Sequence, residues 1–469
     1  MMVDTRSSLS ERMLGKLHAL NFEDVPSTTI AAAKRLVLDS IACIIGGATA
    51  PGIGAIHDHL LGLEPDGQAT VLINGRRTSA CTAAFLNGAA GHALDFDDQH
   101  DPARIHAFVI AFSSALAAAQ TNGVGISNRD FLRAIILGTE CHARLGLACS
   151  HSILTGWLPT TTFGAPAAAI TAGSLLNLNL KSLVNAFGLG AQQSAGTIQS
   201  RDEGVLSKRL GPGFAARAGV LAALLAQAGI SAPRFSLEGA GGLFSVYERD
   251  LVDTSSFLEG LGERWEVERF SLKPYPCCRC SHTAIALALM LREQLRDIDN
   301  IERVCVRMSR ANIEAVGGAY ANAERSTTKA QFSAAYCIAT ALRYGTVDLS
   351  SFSTKRIETM EAERCVRKVE LDIDDELGPN AVYPATMSVV LNTGETLNLH
   401  LDRMPGSPDL PLSTSDIETK LKKCGMSVGV SEGACHQLAQ IVDTLDESAS
   451  VAHLLAAFER VAAERGQQS

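Results

Sequence analysis

Through residues 1–265 the apolar positions recur at the spacing of a helix face. One such face is formed by Ile30, Ala33, Val37, Ile41 and Ile44. Ser127 followed by Asp130 is typical of a helix start, because each side chain can accept a hydrogen bond from a free backbone N–H of the first turn. Further helices are predicted at 163–176, 182–197 and 213–229. The alternation typical of strands is almost absent, so this part of the chain is predicted to be helical.

Beyond Trp265 the pattern changes to short alternating runs. Strands are predicted at 266–272, 301–308, 365–373, 387–391 and 396–401, and helices at 283–295 and 330–342. The last two strands flank Asn392-Thr393-Gly394-Glu395, a sequence typical of a hairpin turn. We expect these elements to form a smaller α+β domain with antiparallel strands.

The segment Pro405–Pro411 is rich in proline and glycine and is interpreted as a linker. Helical spacing returns after it, at 415–422, 432–445 and 450–465. The predicted fold is therefore mainly α. A large all-helical domain begins with residues 1–265, and a smaller α+β lid domain (266–404) is inserted before the C-terminal helices. Those helices, in 405–469, are expected to return to the large domain.

Composition narrows the class of protein. The chain has 469 residues, of which 46% are hydrophobic and 19% charged, enough for two or three domains or one large domain with an insertion. A net charge of −9 without a long basic run argues against nucleic-acid binding. No stretch approaches the ~18 uninterrupted apolar residues of a membrane span, and Met1–Arg6 lacks the start of a signal peptide. The twelve scattered cysteines suit the reduced core of a cytoplasmic protein.

The first candidate for chemistry is the stretch from Gly91 to Pro102, which places four aspartates and two histidines between two apolar helical runs. Carboxylates this dense resist burial, so a solvated acidic turn is one interpretation. The alternative is a polar pocket floor whose acids and bases are held by the helices around it. A further histidine, His106, follows a few residues later.

Two other segments could bind an anion. Lys208-Arg209 precedes a small-residue helix, where cations and free helix N–H groups converge, although a solvated loop explains it nearly as well. Lys273 and His282 flank a turn that contains Cys277 and Cys280. The Cys-x-x-Cys spacing invites zinc, but no second ligand pair is evident, and no βαβ unit supports a redox role. We therefore predict no metal.

Together these segments resemble the MmgE/PrpD family. The resemblance is carried by Ala93-Leu94-Asp95-Phe96-Asp97-Asp98 with downstream His106, by Lys208-Arg209 before Gly213-Phe214-Ala215-Ala216-Arg217, and by Lys273-Pro274-Tyr275-Pro276-Cys277 with His282. The motifs occur in the family's order and cover nearly the whole chain. The family includes 2-methylcitrate dehydratase, cis-aconitate decarboxylase and iminodisuccinate epimerase. The resemblance implies a homodimer without metal or organic cofactor and an active site between the two domains.

The resemblance also implies site residues. Asp95, His106, Lys208 and Lys273 match catalytic positions of the family's decarboxylases, and Tyr320 matches a pocket tyrosine if a gap is allowed. The substrate-binding candidates are Arg209, Gln99 and His282. The implied partner is a small di- or tricarboxylate: the lysines would hold its carboxylate oxygens while His106 moves a proton at the neighbouring carbon. Asp95 could orient His106 or exchange a proton itself.

Two residues depart from the family pattern. Gln99 stands where a threonine is usual, and Leu158, in Gly156-Trp157-Leu158, stands where dehydratases and decarboxylases carry a catalytic histidine. A leucine cannot transfer a proton, so another group has taken over or the reaction differs. Dehydration needs an acid for the leaving hydroxyl, whereas epimerisation only removes and returns a proton. The sequence therefore favours an epimerase of an amino- or imino-dicarboxylate such as iminodisuccinate. The alternatives are a lyase, either 2-methylcitrate dehydratase or cis-aconitate decarboxylase, and an inactive carboxylate-binding paralogue.

Overall fold

The computed structural model describes residues 7–121, 125–149, 151–295, 297–320, 325–359, 365–447 and 450–466. Met1–Arg6 and the Ala321-Asn322 pair that follows Tyr320 lie outside this part of the chain. Helices make up 57% of the structure and strands 9%, so the prediction of a mainly α fold is confirmed.

Fourteen helices of eleven or more residues occur in the described part of the chain. They are α1 (Leu9–Ala19), α2 (Ser27–Gly47), α3 (Ile53–Leu63), α4 (Ala80–His92), α5 (Phe108–Ala118), α6 (Asn128–Ala148), α7 (Gly164–Leu175), α8 (Leu180–Ala191), α9 (Gly211–Gln227), α10 (His282–Gln294), α11 (Ala334–Tyr344), α12 (Thr414–Met426), α13 (Glu432–Asp443) and α14 (Ala452–Gly466). As predicted, Ser127 caps α6, because its side chain accepts a hydrogen bond from the Asp130 backbone N–H.

The strands are β1 (Ala69–Thr70), β2 (Arg77–Thr78), β3 (Ile301–Met308), β4 (Val369–Ile373), β5 (Ala385–Leu391) and β6 (Thr396–Leu401). β1 and β2 form a short ribbon, and the other four form a sheet in the order β4-β3-β5-β6. The predicted hairpin of β5 and β6 is confirmed as an antiparallel pair. The expectation of purely antiparallel strands is wrong, because β3 pairs with β4 in parallel. α10 and α11 contribute buried residues to the same core as this sheet.

The helices after the sheet share a core with the first half of the chain. Ile417, Leu421 and Leu438 belong to the same buried hydrophobic cluster as Leu36 and Ile41. The sheet, by contrast, belongs to a separate buried cluster, which includes Val306 of β3 and Ile338 of α11. α12–α14 therefore pack with the early helices although the sheet-containing part lies between them in the sequence. The entropic cost of closing such a long connection grows only slowly with its length.

α9 lies at the centre of the helical part. By length and composition alone, the stretch Leu206–Gln227 could cross a membrane. However, 56% of its most apolar part is buried inside the protein, as in a core helix. A Cβ atom added to Gly219 would lie 2.6 Å from the backbone carbon of Ala168 in α7. Small residues thus let these helices approach closely, which explains the high alanine and glycine content.

Two sequence interpretations are corrected. Residues 266–272 do not form a strand: Glu266–Arg269 is a 3-10 turn. The Glu266 carboxylate is buried and hydrogen-bonded to His100, so the alternation of polar and apolar residues in this segment reflects a buried polar contact and not a sheet. The helix predicted through 197 ends at Ala191, and the chain then turns so that the Gly196 carbonyl oxygen accepts a 3.1 Å hydrogen bond from the Leu158 backbone N–H.

Candidate functional site

The acidic stretch forms the loop between α4 and α5. α4 ends at His92, and Asp95 then adopts a positive φ of 51°, a conformation that aspartate tolerates better than most residues. The loop is held at its far end by Asp98, whose carboxylate accepts hydrogen bonds from the backbone N–H groups of Phe108 (2.9 Å) and Val109 (3.0 Å) at the start of α5. The stretch is therefore a buried, hydrogen-bonded loop and not a solvated turn.

Asp95 lies between the two predicted lysines. Lys208 Nζ donates to Asp95 Oδ1, and Lys273 Nζ lies 3.1 Å from Asp95 Oδ2 and 2.8 Å from the Asp95 backbone oxygen. Burial alone would raise the pKa of Asp95, but the two ammonium groups outweigh it and hold that pKa below its ordinary value. Burial would likewise lower the pKa of Lys273, and the Asp95 charge raises it instead. Asp95 and Lys273 are therefore both charged at neutral pH.

A second cluster joins Asp97 to two histidines. His92 Nδ1 lies 2.8 Å from Asp97 Oδ2, and His106 Nδ1 lies 3.3 Å from the same oxygen. The other nitrogen of His92, Nε2, lies 3.0 Å from Lys208 Nζ. Because an ammonium group can only donate, His92 Nε2 accepts and its Nδ1 carries the proton. Burial, together with the nearby Lys208 charge, lowers the pKa of His92 to about 4, so His92 is neutral.

His106 has a fixed orientation. Its Nδ1 also lies 2.6 Å from the Asp98 carbonyl oxygen, and its backbone N–H donates to Thr160 Oγ1 at 3.2 Å. A carbonyl oxygen only accepts, so Nδ1 carries the hydrogen of a neutral ring. Nε2 is therefore the nitrogen that is available to take up and release a proton.

These groups border a cavity of about 120 Å³ between the helical part and the sheet-containing part. Its wall includes four of the predicted or discussed positions, Asp95, Gln99, His106 and Lys208, together with Leu158. Phe332, from the segment before α11, closes one side, and its ring centroid lies 4.7 Å from Lys208 Nζ. The basic turn and the acidic stretch, more than a hundred positions apart, therefore meet at one cavity.

The cavity wall carries more positive than negative charge. Its basic side chains are Arg104, Arg201, Lys208 and Arg279, and its acidic ones are Asp95 and Asp101. Arg279 and Asp101 are fully buried, and their charged atoms lie 3.5 Å apart. The excess of cations favours a small ligand that carries two or more negative charges, because low-dielectric walls strengthen that attraction.

Four predicted residues do not border the cavity in the described part of the chain. Lys273 lies behind Asp95 and acts on the cavity through that carboxylate. Arg209 follows Lys208 directly but turns the other way and donates to the Pro51 carbonyl oxygen at 3.1 Å. His282 is buried with Nε2 3.2 Å from the Cys277 carbonyl oxygen. Tyr320 is partly buried and packs against the core of the sheet-containing part, with its ring centroid 5.1 Å from that of Tyr336.

Sequence reasoning missed several groups on the cavity wall or directly behind it. Asp97 and His92 were visible within the acidic stretch, but only the structure shows them joined to His106. Arg104 lies in a turn and Arg201 in the short helix Gln199–Asp202, and no sequence motif identifies either of them. Cys280 was considered only as a metal or redox ligand and Cys278 was not considered, yet both border the cavity.

One group of side chains in the described residues is close enough to share a metal ion: His92, Asp97 and His106. Each imidazole already directs an Nδ1–H toward Asp97, and the Lys208 ammonium adjoins His92. The donors thus hold protons where a cation would have to displace them. The absence of a metal in the reaction remains a prediction.

The fold and the site define a class: a mainly α protein with a cationic cavity that carries a histidine for proton transfer. Comparison with known proteins gives the family. Residues 11–252 match the MmgE/PrpD N-terminal domain and residues 275–447 the MmgE/PrpD C-terminal domain. The chain belongs to the MmgE/PrpD family, whose members are enzymes that act on small carboxylates.

Its relatives are similar along almost their entire length. The cis-aconitate decarboxylase-like protein oryM of Aspergillus oryzae is 30% identical over 462 residues, which cover 92% of this chain and 93% of the relative. The cis-aconitate decarboxylase of Aspergillus terreus is 29% identical over 454 residues, 92% of each chain. The human cis-aconitate decarboxylase is 25% identical over 460 residues, 94% of this chain and 92% of the relative. These names favour the lyase alternative over the epimerase that the sequence suggested.

Proposed function

We propose that this protein is a cofactor-independent lyase that decarboxylates a small unsaturated tricarboxylate of the cis-aconitate type. The observation that supports this is the shared cavity of Lys208, Asp95 and His106 in a chain whose relatives are named cis-aconitate decarboxylases. The excess of basic side chains on the wall suits a substrate with three carboxylates.

The reaction needs one proton at a carbon next to a carboxylate. As the bond to the departing carboxylate breaks, its electron pair forms a new carbon–carbon double bond. The pair of the original double bond then takes a proton at the carbon beside a remaining carboxylate. Charge develops on that carboxylate in the transition state, where a nearby ammonium stabilises it and lowers the barrier, by about 1.4 kcal/mol for each tenfold in rate.

In this scheme Lys208 binds the carboxylate that develops charge. Two of its three N–H groups are directed to Asp95 and His92, which leaves one for the substrate. His106 Nε2 delivers the proton, and Asp97, 3.3 Å from Nδ1, stabilises the imidazolium form before transfer. Lys273 acts as a positioning residue, because it reaches the cavity only through Asp95.

The second candidate is epimerisation of an amino- or imino-dicarboxylate, and one observation favours it. Leu158 borders the cavity at the position where the resemblance implies a proton-transferring histidine. Epimerisation removes a proton from one face and returns it to the other, so it requires no acid to protonate a leaving group. The third candidate is a binding protein without turnover, which the retained Lys208 and His106 argue against.

A single labelling experiment separates these functions. The purified protein is incubated in deuterated water with cis-aconitate, with 2-methylcitrate and with iminodisuccinate, and the products are followed by NMR. Decarboxylation releases carbon dioxide and leaves one deuterium on the carbon next to a carboxylate. Loss of water without carbon dioxide indicates a dehydratase. Deuterium at the α-carbon with neither loss indicates the epimerase. Either of the last two results would replace our proposal, and binding of all three without turnover would show an inactive paralogue.

A further inference from the structure

Two cysteines border the cavity together with Asp95 of the acidic loop. Cys278 and Cys280 lie on either side of Arg279, in the turn that precedes α10, and both are partly exposed. The Cys278 backbone N–H donates to the Gln331 carbonyl oxygen at 3.0 Å. The Gln331 side chain in turn donates to the Leu94 carbonyl oxygen at 2.6 Å, next to Asp95. Hydrogen bonds therefore fix Cys278 relative to the loop that carries the site.

The two sulfur atoms have unequal surroundings. A hydrogen bond from the Cys280 thiol, assisted by the Lys273 charge, lowers the pKa of Cys278 to about 7 although burial and the Asp95 charge oppose it. The same hydrogen bond, together with burial, raises the pKa of Cys280. The lowered pKa favours the thiolate of Cys278, which is the nucleophilic form. Cys305, which is partly exposed on β3, has instead a raised pKa because of partial burial and the adjoining Asp372.

We infer that Cys278 is a nucleophile inside the cavity and a site of covalent modification by small electrophiles that carry a carboxylate, with Cys280 as its hydrogen-bond donor. The inference rests on the proposed function only in taking the cavity to bind carboxylates. The basic side chains of the wall would draw an anionic electrophile to the thiolate, whereas most exposed thiolates repel or ignore such a charge. This attraction raises the effective concentration of the reagent beside the thiolate.

Two kinds of electrophile fit this chemistry. A haloacetate loses its halide: the sulfur–carbon bond forms as the carbon–halogen bond breaks, and the halide leaves with the electron pair. An unsaturated carboxylate undergoes addition: the sulfur bonds to the β-carbon, the π pair moves to the α-carbon, and that carbon takes a proton from water or His106. The second reaction would make the enzyme sensitive to unsaturated carboxylates, which include its own proposed substrate and product.

The test compares iodoacetate with iodoacetamide on the full chain. The two reagents share a leaving group and a reacting carbon and differ in charge. Alkylation rates at Cys278 and Cys305 are measured in the same sample by peptide mass mapping, with and without succinate. We expect the ratio of the iodoacetate rate to the iodoacetamide rate to be about tenfold higher at Cys278 than at Cys305. Succinate should protect only Cys278, and Lys208→Ala should remove most of the preference.

The role of Cys280 is tested by the pH dependence of alkylation. The midpoint for Cys278 should lie near pH 7 and should move upward in Cys280→Ala, whereas Cys280→Ser, which keeps a donor, should restore part of the shift. Equal rate ratios at Cys278 and Cys305, or no protection by succinate, would overturn the inference. Labelling requires no turnover, so its outcome is independent of the deuterium experiment: a protein that turns over none of the three substrates can still label as expected, and the reverse also holds. Circular dichroism of each variant verifies that it is folded.

Discussion

Lys273 and Asp95 lie 178 positions apart in the sequence and form a buried ion pair, with Lys273 Nζ 3.1 Å from Asp95 Oδ2. Lys208 binds the other carboxylate oxygen. One carboxylate thus contacts two ammonium groups, and Asp97, joined to Lys208 through His92, supplies the second negative charge of the cluster. Such a pair contributes little net stability when complete, but leaving one buried charge alone is costly.

Lys273→Met should therefore lower the free energy of unfolding by about 3–5 kcal/mol, because Asp95 keeps only one of its two cations. In the double variant Lys273→Met/Asp95→Asn the cost should be smaller than the sum of the two single costs, since no unpaired carboxylate remains. Urea denaturation of the four proteins gives this coupling. Arg303→Met, which breaks an ion pair whose side chains are 55% and 54% exposed, is the control and should cost less than about 1 kcal/mol. Additive single costs would show that the pair is not coupled.

The buried His92 makes stability depend on pH. Its pKa is lowered to about 4, whereas an unfolded histidine titrates near 6.5. Between these values the unfolded chain binds a proton that the folded protein does not, so stability is complete above about pH 6.5 and falls as the pH decreases toward 4. His92→Gln should remove up to about 3 kcal/mol of this loss, because one pKa unit corresponds to about 1.4 kcal/mol.

Urea midpoints at pH 7, 5.5 and 4 measure this dependence in the wild type and in His92→Gln. The exposed His453 provides the matched control variant His453→Gln, which should retain the wild-type slope. If His92→Gln and the wild type lose stability in parallel as the pH falls, His92 does not carry the effect.

The helical part was predictable because its period is a local property. Ser127 capped the expected helix, and the Asn392–Glu395 turn joined the expected hairpin. The strand prediction for residues 266–272 was wrong because a buried hydrogen-bonded side chain can produce the same alternation as a half-buried strand. Glu266 is buried because its carboxylate is hydrogen-bonded to His100, 166 positions earlier. Such partners cannot be identified from local spacing.

The site was predictable where a residue type and a motif coincided. Lys208 and His106 border the cavity, as expected, whereas Arg209 does not, because two neighbours on a turn point in different directions. Tyr320 matched the family only across a gap, and it is partly buried against the core of the sheet-containing part. Arg104 and Arg201 belong to no motif, and only the folded structure shows that they border the cavity.

Close packing of α9 on α7 predicts an opposite effect of the same substitution at two glycines. Gly219→Ala should destabilise the protein by about 1–3 kcal/mol, because the new methyl group would lie 2.6 Å from the Ala168 backbone carbon and from the Ala169 nitrogen. Gly54→Ala, in α3, meets nothing within 4 Å and should stabilise by about 0.5–1 kcal/mol through helix propensity. Thermal unfolding of both variants measures this. A stable Gly219→Ala would mean that the two helices separate at little cost.

Lys420 should link the C-terminal helices to the site. Its Nζ, on α12, lies 2.6 Å from Asp39 Oδ1, 2.6 Å from the Phe96 carbonyl oxygen and 3.3 Å from the Lys273 carbonyl oxygen. Lys420→Met leaves Asp39 buried without its cation and should cost about 3–5 kcal/mol. Adding Asp39→Leu should recover much of that stability but not turnover, because the Phe96 and Lys273 carbonyls still lack their donor.

Lys422→Met on the same helix is the control, since that lysine pairs with Glu432 at the surface, where its side chain is 46% exposed. Unfolding and turnover should both remain near wild type. Turnover that recovers together with stability in the Lys420→Met/Asp39→Leu protein would contradict a positioning role and leave Lys420 as a structural residue alone.

Substitution of Leu158 tests whether the missing histidine at this position limits the reaction. Its backbone is fixed, because its N–H donates to the Gly196 carbonyl oxygen at 3.1 Å and its own oxygen accepts from Thr161 Oγ1 at 3.0 Å. An imidazole in Leu158→His would therefore start from a defined position on the cavity wall. If the protein is a lyase that lost an auxiliary proton-transfer group, Leu158→His should raise turnover of cis-aconitate by at least about tenfold and add an inflection near pH 6.5 to its pH–rate profile. Leu158→Gln introduces polarity without a titrating group and should produce neither change. A rate that falls equally in both variants would show that the cavity wall must be apolar at this position. That result would favour epimerisation, which needs no additional proton-transfer group here.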